Sequence, residues 1–182
     1  MSSMDGLEEW MVPGGEGDRV FPCLERLSIL KCGKLRQLPA LGCLPRLQFL
    51  QINGMDIVKC IGNEFYSSSG SATVLFPALK EFTLSRLDSL EEWMVPCGEG
   101  DQVFPCLEKL SINNCGELRQ LPTFRCLPCL KILEMSGMPN VKCIGNEFFS
   151  SGDCAEVLFP ALKELTLKYM DGLEEWAGYG WS

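Results

Sequence analysis

Between residues 20 and 39 the large apolar positions are Leu24, Leu27, Ile29, Cys32, Leu35 and Leu38, at spacings of three, two, three, three and three. An amphipathic helix would return at three and four, and a half-buried strand would alternate by two. The single step of two, Leu27 to Ile29, predicts a strand of about three residues with both side chains inward. The steps of three on either side predict turns that go on burying apolar groups after the strand has ended.

Comparing the chain with itself explains this pattern. LEEWMVP stands at 7–13 and 90–96 and LEEW again at 173–176, so Trp10, Trp93 and Trp176 are spaced 83 residues apart. VKCIGNEF at 58–65 recurs at 141–148, and VLFPALKE at 74–81 recurs at 157–164. Within each block the pattern L-x-x-L-x-L/I-x-x-C/L/M appears three times, with units starting at 24, 47, 79, 107, 130 and 162. Residues 1–23 read as a partial repeat and 177–182 as a divergent tail, so residues 1–182 form a single repeat domain. A unit of this size cannot enclose its own apolar face, but stacked on neighbours it can. The expected architecture is a solenoid of six parallel strands with mostly irregular return segments and little helix. Leu27, Leu50, Phe82, Leu110, Leu133 and Leu165 should form neighbouring rungs. Pro39 and Pro122 suit a return segment without a regular ladder. Gly54 and Gly137 stand where a turn leaving the strand calls for positive φ.

Charge and composition narrow the partners. The formal net charge is −8 without any run of Lys or Arg, so nucleic acid is not an expected ligand. No apolar run is long enough to span a bilayer, and the N-terminus does not have the form of a signal peptide. Eleven cysteines, an odd count, with no N-x-Ser/Thr sequon, favour free thiols in a reducing compartment. A cytoplasmic location is expected, with the nucleus open.

The phrases L-x-x-L-x-I-x-x-C-x-x-L-x-x-L-P at 24–39 and 107–122, with CLPRLQFLQINGM, VKCIGNEFY, VLFPALKEFTL and LEEW, resemble plant intracellular nucleotide-binding leucine-rich-repeat disease-resistance proteins. The repeat region of their coiled-coil type is the nearest in character, over residues 4–176. The resemblance implies an α/β leucine-rich-repeat solenoid, or horseshoe. It also implies a protein-recognition role in plant defence: sensing a pathogen effector or a host protein, or restraining a nucleotide-binding switch. The phosphate loop of such proteins is not in this sequence, because Gly33-Lys34 is followed by Leu35. No ATPase function carries over. A second reading is a truncated repeat fragment with structural stability but no partner of its own.

Candidate chemistry is sparse, and no catalytic residue, cofactor or metal is assigned. With no histidine, a His-dependent triad and imidazole metal ligation are excluded. Cys126-Leu-Pro-Cys129 is a CxxC, but it lies in a return loop without the further ligands zinc needs. Cys32 and Cys115 read as small buried groups, three coils apart and too distant to bridge. The pairs Glu8-Glu9, Glu91-Glu92 and Glu174-Glu175 read as solvated edges. Phe65-Tyr66 and Phe148-Phe149 could form an aromatic binding finger, though core filling is the plainer reading.

The working surface should be the outward side of the strands, where horseshoes usually bind. Its third-position column is Arg26, Phe49, Glu81, Lys109, Ile132 and Glu164. The fifth runs through Ser28, Gln51, Ser111 and Glu134, and the seventh carries Leu30 and Lys168 at its ends. Phe49, Ile132 and Leu30 stand out as large apolar groups in a polar strip, the character of interface anchors. An uncapped apolar end face over 4–24 would favour self-association, with Tyr179 and Trp181 available to cover the last coil.

Overall fold

The computed structural model describes residues 21–66, 74–96, 102–122, 127–144 and 159–176. In chain order its elements are β1 (Arg26–Leu30), β2 (Phe49–Asn53), β3 (Cys60–Ile61), α1 (Asn63–Tyr66), β4 (Val74–Leu75), β5 (Glu81–Ser85), β6 (Glu92–Trp93), β7 (Gln102–Val103), β8 (Lys109–Asn113), β9 (Ile132–Ser136), β10 (Cys143–Ile144), β11 (Glu164–Lys168) and β12 (Glu175–Trp176).

Six strands form one parallel sheet in the order β1-β2-β5-β8-β9-β11, each opening two residues after the start of its repeat unit. Leu27, Leu50, Phe82, Leu110, Leu133 and Leu165 are paired in register across all six. The second inward column, Ile29, Ile52, Leu84, Ile112, Met135 and Leu167, keeps the same register. These side chains and the Leu, Cys and Met of the turns form one continuous core. Each buried Leu contributes roughly 1.5–3 kcal/mol.

The strands are five residues long rather than the three expected from the apolar step, and backbone bonding at both ends explains the difference. At the start, one carbonyl accepts from two successive N–H groups of the next coil. Glu25 O takes Gln48 and Phe49, Gln48 O takes Lys80 and Glu81, and Lys80 O takes Glu108 and Lys109. At the end, the residue after the strand adopts positive φ: Lys31, Gly54, Arg86, Asn114, Gly137 and Tyr169, between 53° and 71°. The first five of these still donate their N–H to the last strand carbonyl of the following coil. Gly54 and Gly137 therefore behave as expected. Lys31, Arg86 and Asn114 accept roughly 1–2 kcal/mol of left-handed strain each, offset by a hydrogen bond that holds the turn in the ladder.

The steps of three are β-turns whose first and last residues face the core, except at the first turn, where Phe21 is exposed. On one side of the strand lies F/L-P-x-L, with Pro at the second turn position, closed by Leu24 to Phe21, Leu79 to Phe76, Leu107 to Phe104, Leu130 to Leu127 and Leu162 to Phe159. On the other side Leu35, Leu90, Leu118, Val141 and Leu173 close onto Cys32, Leu87, Cys115, Met138 and Met170.

The return side is more regular than its sequence suggests. Three two-residue parallel pairings, β3 with β6, β4 with β7 and β10 with β12, tie coils together away from the main sheet. Phe65 and Tyr66 are both fully buried on the single turn α1, so they are no aromatic finger. Their rings meet Phe76, Phe82 and Phe104, and Trp93 Nε1 donates to the Tyr66 hydroxyl at 2.8 Å. Phe148-Phe149, residues 4–20, Tyr179 and Trp181 lie outside the described residues. Among the described residues, no helix is long and apolar enough to cross a membrane.

Candidate protein-recognition face

Because side chains alternate along a strand, burying the Leu and Ile columns turns the third, fifth and seventh positions to the opposite face. The third-position column is in register from Arg26 through Phe49, Glu81, Lys109 and Ile132 to Glu164. Arg26, Ser28, Leu30, Gln51, Glu81, Glu164 and Lys168 are exposed, as a working surface requires.

Phe49 and Ile132 are less open than the polar strip around them suggests, since both are half-buried. The Arg26 guanidinium carbon sits 3.7 Å from the Phe49 ring centroid, a cation–π contact between neighbouring rungs. Of the three apolar anchors only Leu30 is strongly exposed, at 49%. Ser111 is a correction: it is only 3% exposed. Its hydroxyl donates to Glu134 Oε2 at 2.8 Å, and Lys109 Nζ lies 3.0 Å from the same oxygen, so two larger neighbours close over it. Donation from Ser111, and then from Lys109, holds the Glu134 carboxyl below its usual range. Asn53 Nδ2 donates to Ser85 Oγ at 2.6 Å on the first block.

Two features escaped sequence reading. Tyr169 is 75% exposed, on the left-handed step that ends the sixth rung. The signal was the residue after the seventh position, which is glycine in two coils and Lys31, Arg86, Asn114 and Tyr169 in the other four. An open cavity of about 480 Å³ at the carboxyl ends of the first strands is lined by Lys31, Lys34, Arg86, Asp56 and Asp88. Its charged groups come from three separate turns, at 31–34, 56 and 86–88, so no single motif announces it.

The thiols and carboxylate pairs form no reactive centre among the described residues. Cys32 and Cys115 are buried thiols outside any disulfide, with Sγ 3.6 Å from Leu30 O and 3.8 Å from Asn113 O respectively. Burial pushes the Cys115 thiol up to about 11. Cys60 is also raised, by burial first and then by Glu64 and Glu92, the opposite of an activated thiolate. Cys129 is half-buried, and Cys126 lies outside the described residues. Glu91 lies 3.5 Å from Lys59 and 3.9 Å from Arg119, while Glu92, Glu174 and Glu175 are exposed. Glu8-Glu9 lies outside the described residues. Among the described residues no group of three or more Cys, Asp or Glu could hold a metal ion.

In-register parallel rungs with polar outward columns define a leucine-rich-repeat solenoid. The chain belongs to the leucine-rich repeats of RPS2-like plant disease resistance proteins, a family it matches over residues 7–135. It is 34% identical over 137 residues to the probable disease resistance protein RF9 of Arabidopsis thaliana, covering 66% of this chain and 13% of that protein. It is 34% identical over 103 residues to the probable disease resistance protein At5g63020 of the same plant, covering 56% and 11%. Similarity to the disease resistance protein RPP8, also from Arabidopsis thaliana, is 30% over 118 residues, covering 64% and 12%. The chain thus spans only about a tenth of the length of these relatives. No solved structure matches it.

Proposed function

We propose that the chain is a non-catalytic protein-recognition module of plant innate immunity. It would sense a pathogen effector or a host protein, or restrain a nucleotide-binding switch, in the cytoplasm or nucleus. The observation that carries this reading is the six-rung sheet, whose outward columns place Arg26, Phe49, Glu81, Lys109, Ile132 and Glu164 side by side on one surface. Such a strip offers anchors and charges to a protein. Membership of a disease-resistance repeat family supports the biological setting.

The test is to titrate the chain against a panel of pathogen effectors and the nucleotide-binding module of a full-length relative. A partner whose affinity falls about fivefold or more with Phe49→Ala or Ile132→Ala, at unchanged melting temperature, supports the reading. Binding that ignores both substitutions, or no binding at all, overturns it.

A further inference from the structure

We infer that the strand face docks onto a second copy of this chain, with strands parallel and rungs in reverse order. Each 83-residue block contributes one cation, one apolar residue and one anion to the third-position column: Arg26, Phe49, Glu81, then Lys109, Ile132, Glu164. The column therefore reverses into its own complement. A two-fold axis lying between two facing sheets and parallel to the strands sets the first rung against the sixth, the second against the fifth and the third against the fourth. Arg26 then meets Glu164, Phe49 meets Ile132 and Glu81 meets Lys109, each pair occurring twice as an isologous contact requires. The outer columns set no like charges together, since Gln51 meets Glu134 and Leu30 meets Lys168. An axis across the strands would instead put the column of Arg26 against that of Leu30, losing the pairs at Arg26, Glu81 and Lys109 and keeping only Glu164 against Lys168.

Facing sheets pack about 10 Å apart, a gap that Arg, Lys, Glu and Phe side chains can fill from both sides. Solenoids curve toward this face, so the end rungs approach first, and these carry Arg26 and Glu164. A net charge of −8 opposes self-association, but that repulsion is screened over roughly 8 Å at physiological salt, whereas the paired groups are in contact. Six strands roughly 4.8 Å apart and five residues long give a patch of roughly 24 by 16 Å. The two copies together bury about 800 Å², short of the roughly 1,200 Å² of stable complexes, so the dimer is weak and exchanges rapidly. It rests on the reading of this face as an interface, and a recognised partner would have to displace it.

Arg26 and Glu164 are on the first and sixth rungs described, roughly 24 Å apart at five strand spacings, so coupling between them can only be intermolecular. The experiment is sedimentation velocity of the full chain over a range of concentrations. Wild type should show a concentration-dependent dimer. Arg26→Glu and Glu164→Arg should each weaken it about tenfold or more by setting like charges together. An equimolar mixture of the two variants should dimerise again, because every end contact in the mixed pair is a cation on an anion. Circular dichroism checks the fold. If charge reversal disturbs it, Arg26→Ala and Glu164→Ala replace the pair, each expected to weaken the dimer, with partial recovery on mixing because the mixed dimer regains one complete Arg26–Glu164 contact. A wild type that stays monomeric, single variants that associate as wild type does, or a mixture of reversed variants that fails to dimerise overturns the inference. Dimers that survive both substitutions would point to the half-buried apolar residues of the last coil. A failed effector titration beside a dimer that responds as described overturns the recognition role alone, and a monomeric wild type that still binds an effector overturns the dimer alone.

Discussion

At the scale of single residues, one glycine shows how closely the coils approach. Gly42 accepts from Phe76 N–H at 2.6 Å while Leu41 N–H donates to Phe65 O at 2.9 Å, so the loop lies directly against the end of α1. A Cβ at position 42 would run into the Tyr66 carbonyl oxygen and backbone, which cannot swing aside as a flexible side chain could. Gly116 is the internal control, because a Cβ there meets nothing within 4 Å. Gly42→Ala should therefore cost about 2–3 kcal/mol, an overpacking penalty. Gly116→Ala should stay within about 0.5 kcal/mol. Urea unfolding of both variants checks this, and equal midpoints would mean that α1 does not dock as described. The matching position in the second block is Arg125, outside the described residues. A near-perfect sequence repeat thus does not guarantee two copies of this contact.

Between elements, the outward face is tied by contacts that cross from one strand to the next, and the clamp of β8 on β9 is the densest. Ser111 and Lys109 both bind Glu134, whose folded-state proton affinity drops below the ordinary 4.5, through the serine hydroxyl first and the lysine second. Because the unfolded chain binds that proton more tightly, the clamp stabilises the fold above pH 4.5 and is lost as pH falls through the lower folded value. The carboxylate side chain is 38% exposed, so solvent holds its contribution below about 1 kcal/mol. Glu134→Gln should lower the melting temperature slightly at neutral pH, and the two proteins should converge in acid. A difference that grows as pH falls would contradict the assignment. Such clamps also mark how much of the architecture is legible from the chain. The six rungs and their register could be read because Leu27, Leu50 and Leu110 recur in one frame. The burial of Ser111 could not, because it depends on side chains 2 and 23 positions away. The pairs β3 with β6 and β10 with β12 are two residues long and α1 is four, too short for any periodicity to emerge. Strand length was misread for a related reason: the backbone at Glu25 and Lys31 extends the ladder without an apolar side chain to signal it.

Across the whole molecule, stability should depend on the position of a coil in the stack, because each coil contacts only its neighbours. The duplication supplies matched residues to test this. Phe76, Leu79, Phe82, Leu84, Leu87 and Leu90 are all 0% exposed in the third coil. Their counterparts 83 residues on, Phe159, Leu162, Leu165, Leu167, Met170 and Leu173, are only partly buried. Leu110 on the fourth rung is also 0% exposed and is flanked by Phe82 and Leu133, whereas Leu165 pairs with Leu133 alone. Leu110→Ala removes contacts on both sides and leaves an enclosed cavity, so it should cost about 3–5 kcal/mol. Leu165→Ala removes fewer contacts from a site open to water and should cost less than half as much, roughly 1–2 kcal/mol. The same gradient should appear in hydrogen exchange, with the amides of β11 opening well before those of β5 and β8. Leu110→Ala should accelerate exchange throughout the sheet, because it splits the stack at its centre, while Leu165→Ala should accelerate only β11 and its neighbour β9. Equal costs at the two positions, or one uniform exchange rate from β1 to β11, would mean that the six rungs stand and fall as a single cooperative block.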